Sequence, residues 1–166
     1  MKNLDYNELE NILELIKPTP ATTISLFTNK DKELIEFLNN LMSKKEIDFV
    51  INITQKELFD LLKDRFKNIK LFNLKRPKYM LNGKFYDYLL VNLDLEESFK
   101  EEFLKRTHAI IKNAGLILIF EDSKNYKAID NWYRLLEENY YVATSKIDID
   151  SKNTLIISKK MHGWGG

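Results

Sequence analysis

From Thr22 to Leu136, short β-branched apolar runs alternate with stretches whose apolar residues fall three and four positions apart. Period two giving way to period 3.6, over and over, is the pattern of parallel strands joined by crossover helices. Thr22–Thr28 (TTISLFT), Ile47–Ile53 (IDFVINI), Ile69–Leu74, Tyr86–Leu93 (YDYLLVNL) and Leu116–Phe120 (LILIF) read as strands. Between them, Leu34, Ile35, Leu38, Leu41 and Met42 mark one helix, and Leu58, Phe59, Leu62 and Phe66 a second. The first is capped from Thr28, Asn29 or Asp31, and Thr54 with Glu57 forms a capping-box pattern for the second. Phe99, Phe103, Leu104, Ile110 and Ile111 predict a long helix that stops at Ala114-Gly115, with Gly115 in the left-handed cap position. Ile129, Trp132, Tyr133 and Leu136 mark a further one.

Both ends of the chain break the alternation. Leu9, Ile12, Leu13 and Ile16 predict an amphipathic helix over 5–17, ended by Pro18 and Pro20. Tyr141–Ile149 and Thr154–Lys159 are strand-like with only a turn between them, so they pair antiparallel. The expected division is an N-terminal helix (1–20) packed on one α/β domain (21–160), then a tail (161–166).

Glycine is scarce where a nucleotide-binding sheet uses it. Gly83 is the only glycine in the first 114 residues, and the first strand-to-helix turn, Thr28-Asn29-Lys30-Asp31, has none. A Cβ at such a turn blocks close approach of a phosphate, ribose or amino-acid tail to the backbone.

Composition removes several function classes. With 26 basic and 25 acidic residues the net charge is +1, so no strong field points to nucleic acid or an anionic membrane. There is no cysteine for disulfides, thiolate chemistry or sulfur-ligated metal. No apolar run approaches a membrane span and the N-terminus has no signal-peptide core, so cytoplasmic residence is the expectation. The wealth of Lys, Asn and Ile suits an AT-rich bacterial genome.

Lys84-Phe85-Tyr86-Asp87-Tyr88-Leu89-Leu90-Val91 resembles the fourth strand of class I S-adenosylmethionine-dependent methyltransferases, with an Asp just inside its start. Ile110 to Ile119 resembles the helix end, tight turn and fifth strand that follow. The resemblance implies a Rossmann-like three-layer α/β sandwich over roughly residues 21–160. Its sheet would be mostly parallel and seven-stranded, in the order 3-2-1-4-5-7-6, with an antiparallel terminal strand. It also implies a cofactor, S-adenosylmethionine, bound after the first two strands, where this chain has Thr28, Asn29, Asn52 and Thr54. The acceptor would meet the end of the fourth strand, where Asn92 and Asp94 stand as the catalytic candidates. The chain departs from the family at these places. The Gly-rich loop is absent, the nearest candidates for the acidic residue after the second strand, Asn52 and Thr54, are neutral, and Asn92-Leu93-Asp94-Leu95 replaces the proline-aromatic acceptor motif.

Each candidate has a plainer reading beside the functional one. Thr28, Asn29, Asp31, Asn52, Thr54, Lys75, Arg76, Asn92, Asp94, Glu121 and Asp122 all fall on the loops at the carboxyl ends of the strands, where ligands bind such sheets. They serve equally as caps and solvated loop ends, Asp94 as the cap of a helix starting near Leu95. Glu121-Asp122 lacks further ligands for a hard metal, and no metal is expected. His108 reads as a partly buried structural residue. Lys75, Arg76, Lys78 and Lys84 among Tyr79, Phe85, Tyr86 and Tyr88 mix charges and rings as nucleic-acid grooves do. The balanced net charge and the buried strand at 86–88 favour plain surface or a substrate-facing loop. His162-Gly163-Trp164-Gly165-Gly166 is either a frayed end or an anchor, with Trp164 packing on this molecule, a copy of it or a partner. Two functions follow: a non-catalytic binding or interaction domain with a degenerate cofactor loop, or a divergent methyltransferase acting on an unknown acceptor.

Overall fold

The computed structural model describes residues 3–15, 19, 21–79 and 85–161. Ile16, Pro18, Pro20, Lys84, the Asn82-Gly83 turn and tail residues 162–166, Trp164 among them, lie outside that set. The elements run α1 (Tyr6–Leu15), β1 (Thr23–Thr28), α2 (Lys32–Lys44), β2 (Asp48–Ile53), α3 (Lys56–Leu62), β3 (Ile69–Leu71) and β4 (Tyr86–Asn92). They continue with α4 (Glu97–His108), β5 (Ile111–Asp122), α5 (Tyr126–Glu138), β6 (Tyr141–Asp148) and β7 (Asn153–Lys160). Seven strands form one sheet in the order β3-β2-β1-β4-β5-β7-β6. The first five are parallel, and β7 runs antiparallel between β5 and β6. Fold class and strand order are therefore those the resemblance implied.

Alternation along the strands builds a core on each side of the sheet. Ile24, Leu26, Ile51 and Leu90 face one way, onto Leu9 and Ile12 of α1 and Leu34, Ile35 and Leu38 of α2. Phe27, Leu89, Val91 and Ile119 face the other, onto Phe103 and Leu104 of α4 and Ile129, Trp132 and Leu136 of α5. In the described part of the β3–β4 connection there is no helix. Phe72 and Tyr79 cover Phe27 instead, with ring centroids at 4.9 and 6.0 Å. The Tyr79 hydroxyl donates to the Leu74 carbonyl at 2.6 Å, and burial pushes that phenol up to about 12.

Four local expectations are corrected. The helix predicted through Ile111 ends at His108, and β5 begins at Ile111, five residues before the predicted strand. Ile110 and Ile111 fit a helical spacing, but both are buried at a strand entry, where the Tyr86 N–H donates to the Ile110 carbonyl. Gly115 is accordingly no helix cap. The positive φ belongs to Ala114 (67°), within the irregular start of β5. Gly115 is required for space, since a Cβ there would meet the Lys112 and Asp87 carbonyl oxygens at 2.8 and 2.9 Å. The capping box slides by one residue: Gln55 caps α3 by accepting from the Leu58 N–H, and Thr54 donates its N–H to the Thr28 carbonyl. The third strand stops at Leu71, before the chain turns to bury Phe72.

Asp87 ties the opposite end of the sheet together. Its carboxylate accepts from the Thr23 N–H at 2.9 Å and from the Lys112 Nζ at 3.2 Å, joining β4 to β1 and β5.

Candidate functional site

The strand order reverses between β1 and β4, and a crevice at their carboxyl ends is where ligands enter such sheets. Here hydrogen bonds span it. Asn29 Nδ2 donates to the Asp94 carbonyl at 3.3 Å, and the Asp94 N–H returns a bond to Asn29 Oδ1 at 3.2 Å. Lys30 Nζ reaches Asp94 Oδ1 at 2.7 Å, and Asn92 Nδ2 donates to Asp31 Oδ2 at 3.0 Å.

The turn after β1 is folded to make these contacts. Thr28 Oγ1 donates to the Lys30 carbonyl at 2.8 Å, curling the chain back on itself. Asp31 then takes a left-handed conformation, φ 64°, and begins α2 without a side-chain cap bond. A glycine would adopt that φ freely. Aspartate is among the few other residues that tolerate it, because its short polar side chain finds local partners. Burial works against the ionised Asp31 carboxylate. Neighbouring donors and charges, the Asn92 amide and Lys30 among them, outweigh burial and hold it below 3.8.

Thr28 and Asn52 are fully buried. Asn52 donates to Ser25 Oγ at 2.7 Å, inside the sheet rather than at its rim. Thr54 is half-buried in the loop after β2. Of the sequence candidates, Asn29, Asp31, Asn92 and Asp94 converge on one place, Thr28 fastens the turn beside them, and Asn52 bonds to Ser25 within the sheet. Asp94 does not cap α4: Glu96 holds that position, and Asp94 is used in the crevice.

Beside the bridged crevice lies an open polar cleft of ≈ 530 Å³ at the ends of β4 and β5, lined in part by Asn92, Asp94, Lys100, Glu121 and Trp132. Lys100 is not among the sequence candidates. Its side chain is 5% exposed, with Nζ 2.6 Å from Glu97 Oε1 and 4.7 Å from the Trp132 ring. Trp132 Nε1 in turn donates to Glu121 Oε1 at 3.3 Å. The Lys100 hydrogen bond, with the Lys100 charge and the Asn131 hydrogen bond behind it, holds the Glu97 carboxyl below its ordinary range against the opposing effect of burial. The signal was present in the sequence: Lys100 stands three, four and seven residues before Phe103, Leu104 and Thr107, on the buried stripe of its helix. Glu121 and Asp122 take separate partners: Glu121 accepts from Trp132 Nε1, and Asp122 accepts from the Lys124 N–H. Among the described residues no group of three or more His, Asp and Glu could hold a metal ion. The rings near Lys75 and Arg76 are not free platforms, since Lys75 Nζ lies 4.1 Å over Phe99 and Arg76 5.4 Å over the buried Phe72.

The fold defines a class. The chain is similar in structure to a SAM-dependent methyltransferase from Archaeoglobus fulgidus, at TM-score 0.68 and 12% identity over 93% of this chain and 92% of that one. It is similar also to one from Aquifex aeolicus, at TM-score 0.67 and 13% identity over 95% and 90%. The CMeT domain of the citrinin polyketide synthase gives TM-score 0.71 at 14% identity over 93% of this chain. The chain spans about half the length of that chain (50%) and of the CurJ carbon methyltransferase (54%). No family model matches the sequence. No curated protein matches it either. At these identities the likeness establishes a divergent class I methyltransferase-like fold. Among the described residues no helix is long and apolar enough to cross a membrane.

Proposed function

We propose that this chain is a methyltransferase-fold domain that works by binding a partner rather than by methyl transfer. One observation carries this reading: the Asn29–Asp94, Lys30–Asp94 and Asp31–Asn92 contacts occupy the crevice between β1 and β4. The residues present do not fit S-adenosylmethionine there. The turn carries four side chains where the cofactor needs bare backbone, Asn52 is turned inward, and the residues directly after β2, Thr54 and Gln55, are neutral where the ribose hydroxyls would take a carboxylate.

The alternative, a divergent S-adenosylmethionine-dependent methyltransferase, is favoured by the open cleft beside Asn92 and Asp94, at the strand end where the family meets its acceptor. It requires the crevice contacts to open. Titration of S-adenosylmethionine and S-adenosylhomocysteine, by calorimetry and thermal unfolding, separates the two. A ligand that binds the folded state stabilises it by about 2.7 kcal/mol at one hundred times its Kd. We expect no shift at millimolar ligand, and a saturable shift sinks the non-catalytic reading.

A further inference from the structure

We propose that the free edge of the sheet at β3, with the loop that follows it, docks an extended acidic segment of a partner protein by strand addition. The inference names a partner chemistry for the binding role above and rests on that reading for its purpose.

The first observation is electrostatic. Residues 63–79 hold seven of the chain's basic residues and one acidic residue, in a protein whose net charge is +1. Lys67, Lys70, Lys75, Arg76 and Lys78 are all exposed. Among the described residues none of the five has a carboxylate within ion-pair distance. Every Asp and Glu of the chain is among the described residues, so no other side chain of the protein supplies the missing counter-charge.

The second observation is the open edge. The Ile51 N–H donates to the Asn68 carbonyl, and the Phe72 N–H to that of Ile53. Backbone groups alternate sides along a strand, so those of Ile69 and Leu71 point away from β2, with no further strand among the described residues to meet them. An added strand would find two different surfaces. Lys70 lies on the side of Phe72, with Lys75 and Arg76 in the loop beyond. Leu71, 47% exposed, lies on the other side, against which α3 packs with Leu61 62% exposed. The fitting segment therefore alternates acidic and apolar residues, one kind for each face.

Other occupants fit less well. Two copies of β3 edge to edge would set like charges against each other at Lys70. Single-stranded nucleic acid needs free rings for its bases, and Phe72 and Tyr79 are buried.

The test uses the intact protein and a fluorescein-labelled peptide of alternating glutamate and valine. A lysine-valine peptide and a single-stranded oligothymidylate serve as controls, read by anisotropy. We expect saturable binding of the glutamate peptide, weakened about tenfold or more in Lys67→Glu/Lys70→Glu/Lys78→Glu and by added salt. Amide exchange at Ile69 and Leu71 should slow on binding. That measurement is made on the unmodified protein, so it decides the matter even should the triple variant fail to fold. Absence of saturable binding, affinity unchanged by charge reversal, unchanged exchange at both amides, or tighter binding of the oligonucleotide overturns the proposal. S-adenosylmethionine binding would overturn the non-catalytic reading and leave these outcomes untouched.

Discussion

The Asn92 side-chain amide donates to the Asp31 carboxylate at 3.0 Å, joining the end of one central strand to the left-handed turn that leaves its neighbour. That bond helps hold Asp31 in its left-handed conformation and, together with the Asn29–Asp94 and Lys30–Asp94 contacts, closes the place where this fold class takes a ligand. Asn92→Ala should destabilise the protein by about 1.5 kcal/mol, the low end for a bond to a charged group because Asp31 is only half-buried. Urea unfolding measures it. The folded Asp31 carboxyl titrates below 3.8, so its contribution is full above that pH and fades as pH falls through the lower folded value. Asn92→Ala should therefore lose least relative to the parent in acid. An equal loss at neutral pH and in strong acid would remove Asp31 from the explanation.

Gly115 is a second sensitive position, for steric reasons. Of the three atoms nearest to where a Cβ would sit, two are backbone oxygens, at 2.8 and 2.9 Å, and the third is Ile111 Cγ2 at 2.7 Å. The first belongs to β5 and the second to β4, so neither can move without disturbing the pairing of these two strands. Gly115→Ala is expected to cost about 1–3 kcal/mol. A melting temperature equal to the parent's would show that the entry to β5 is plastic.

Lys100 separates packing from charge. Its side chain is buried with Nζ over the Trp132 ring, while Glu97 remains exposed to solvent after Lys100 is removed. Lys100→Met keeps the volume and removes a desolvated charge, so it should be neutral within about 1 kcal/mol. Lys100→Ala empties the space and should cost about 1–2 kcal/mol more than Lys100→Met, mainly through lost stem packing. Equal losses in the two variants would make the ion pair, rather than the stem, the stabilising element.

His108 predicts a pH dependence near neutrality. Burial, and then the charge of Lys160, lower its pKa from 6.5, outweighing a backbone hydrogen bond at Tyr140 that raises it. The unfolded chain therefore takes up a proton more readily than the folded one. The His108 contribution is present above pH 6.5 and is lost as pH falls through the lower folded value. His108→Gln should show a shallower loss of stability from pH 7.5 to 5 in urea titrations. Parallel pH profiles for the two proteins would discard this assignment.

Much of the fold was legible because it rests on local periodicity. The β-branched runs of β1, β2 and β4 and the spacing of Leu34, Leu38 and Leu41 define strands and helices wherever the chain goes. Ile110 and Ile111 misled for the same reason. A helical spacing of apolar residues cannot tell a last helical turn from a buried strand entry, and the pairing with Tyr86 decided it. The glycine-free turn was visible at once, and Asp31 was visible within it. Its left-handed backbone was not, because the Asn92 partner that favours it lies 61 residues away.

The sequence by itself determined the layers of this protein, the order of its elements and the absence of a glycine cradle, since these are matters of residue type and near-neighbour spacing. Tertiary structure alone decided what became of the crevice. Asn29, Lys30 and Asp31 meet Asn92 and Asp94 only because β1 and β4 lie side by side, and hydrogen bonds between residues so far apart in the chain leave no periodic trace in it.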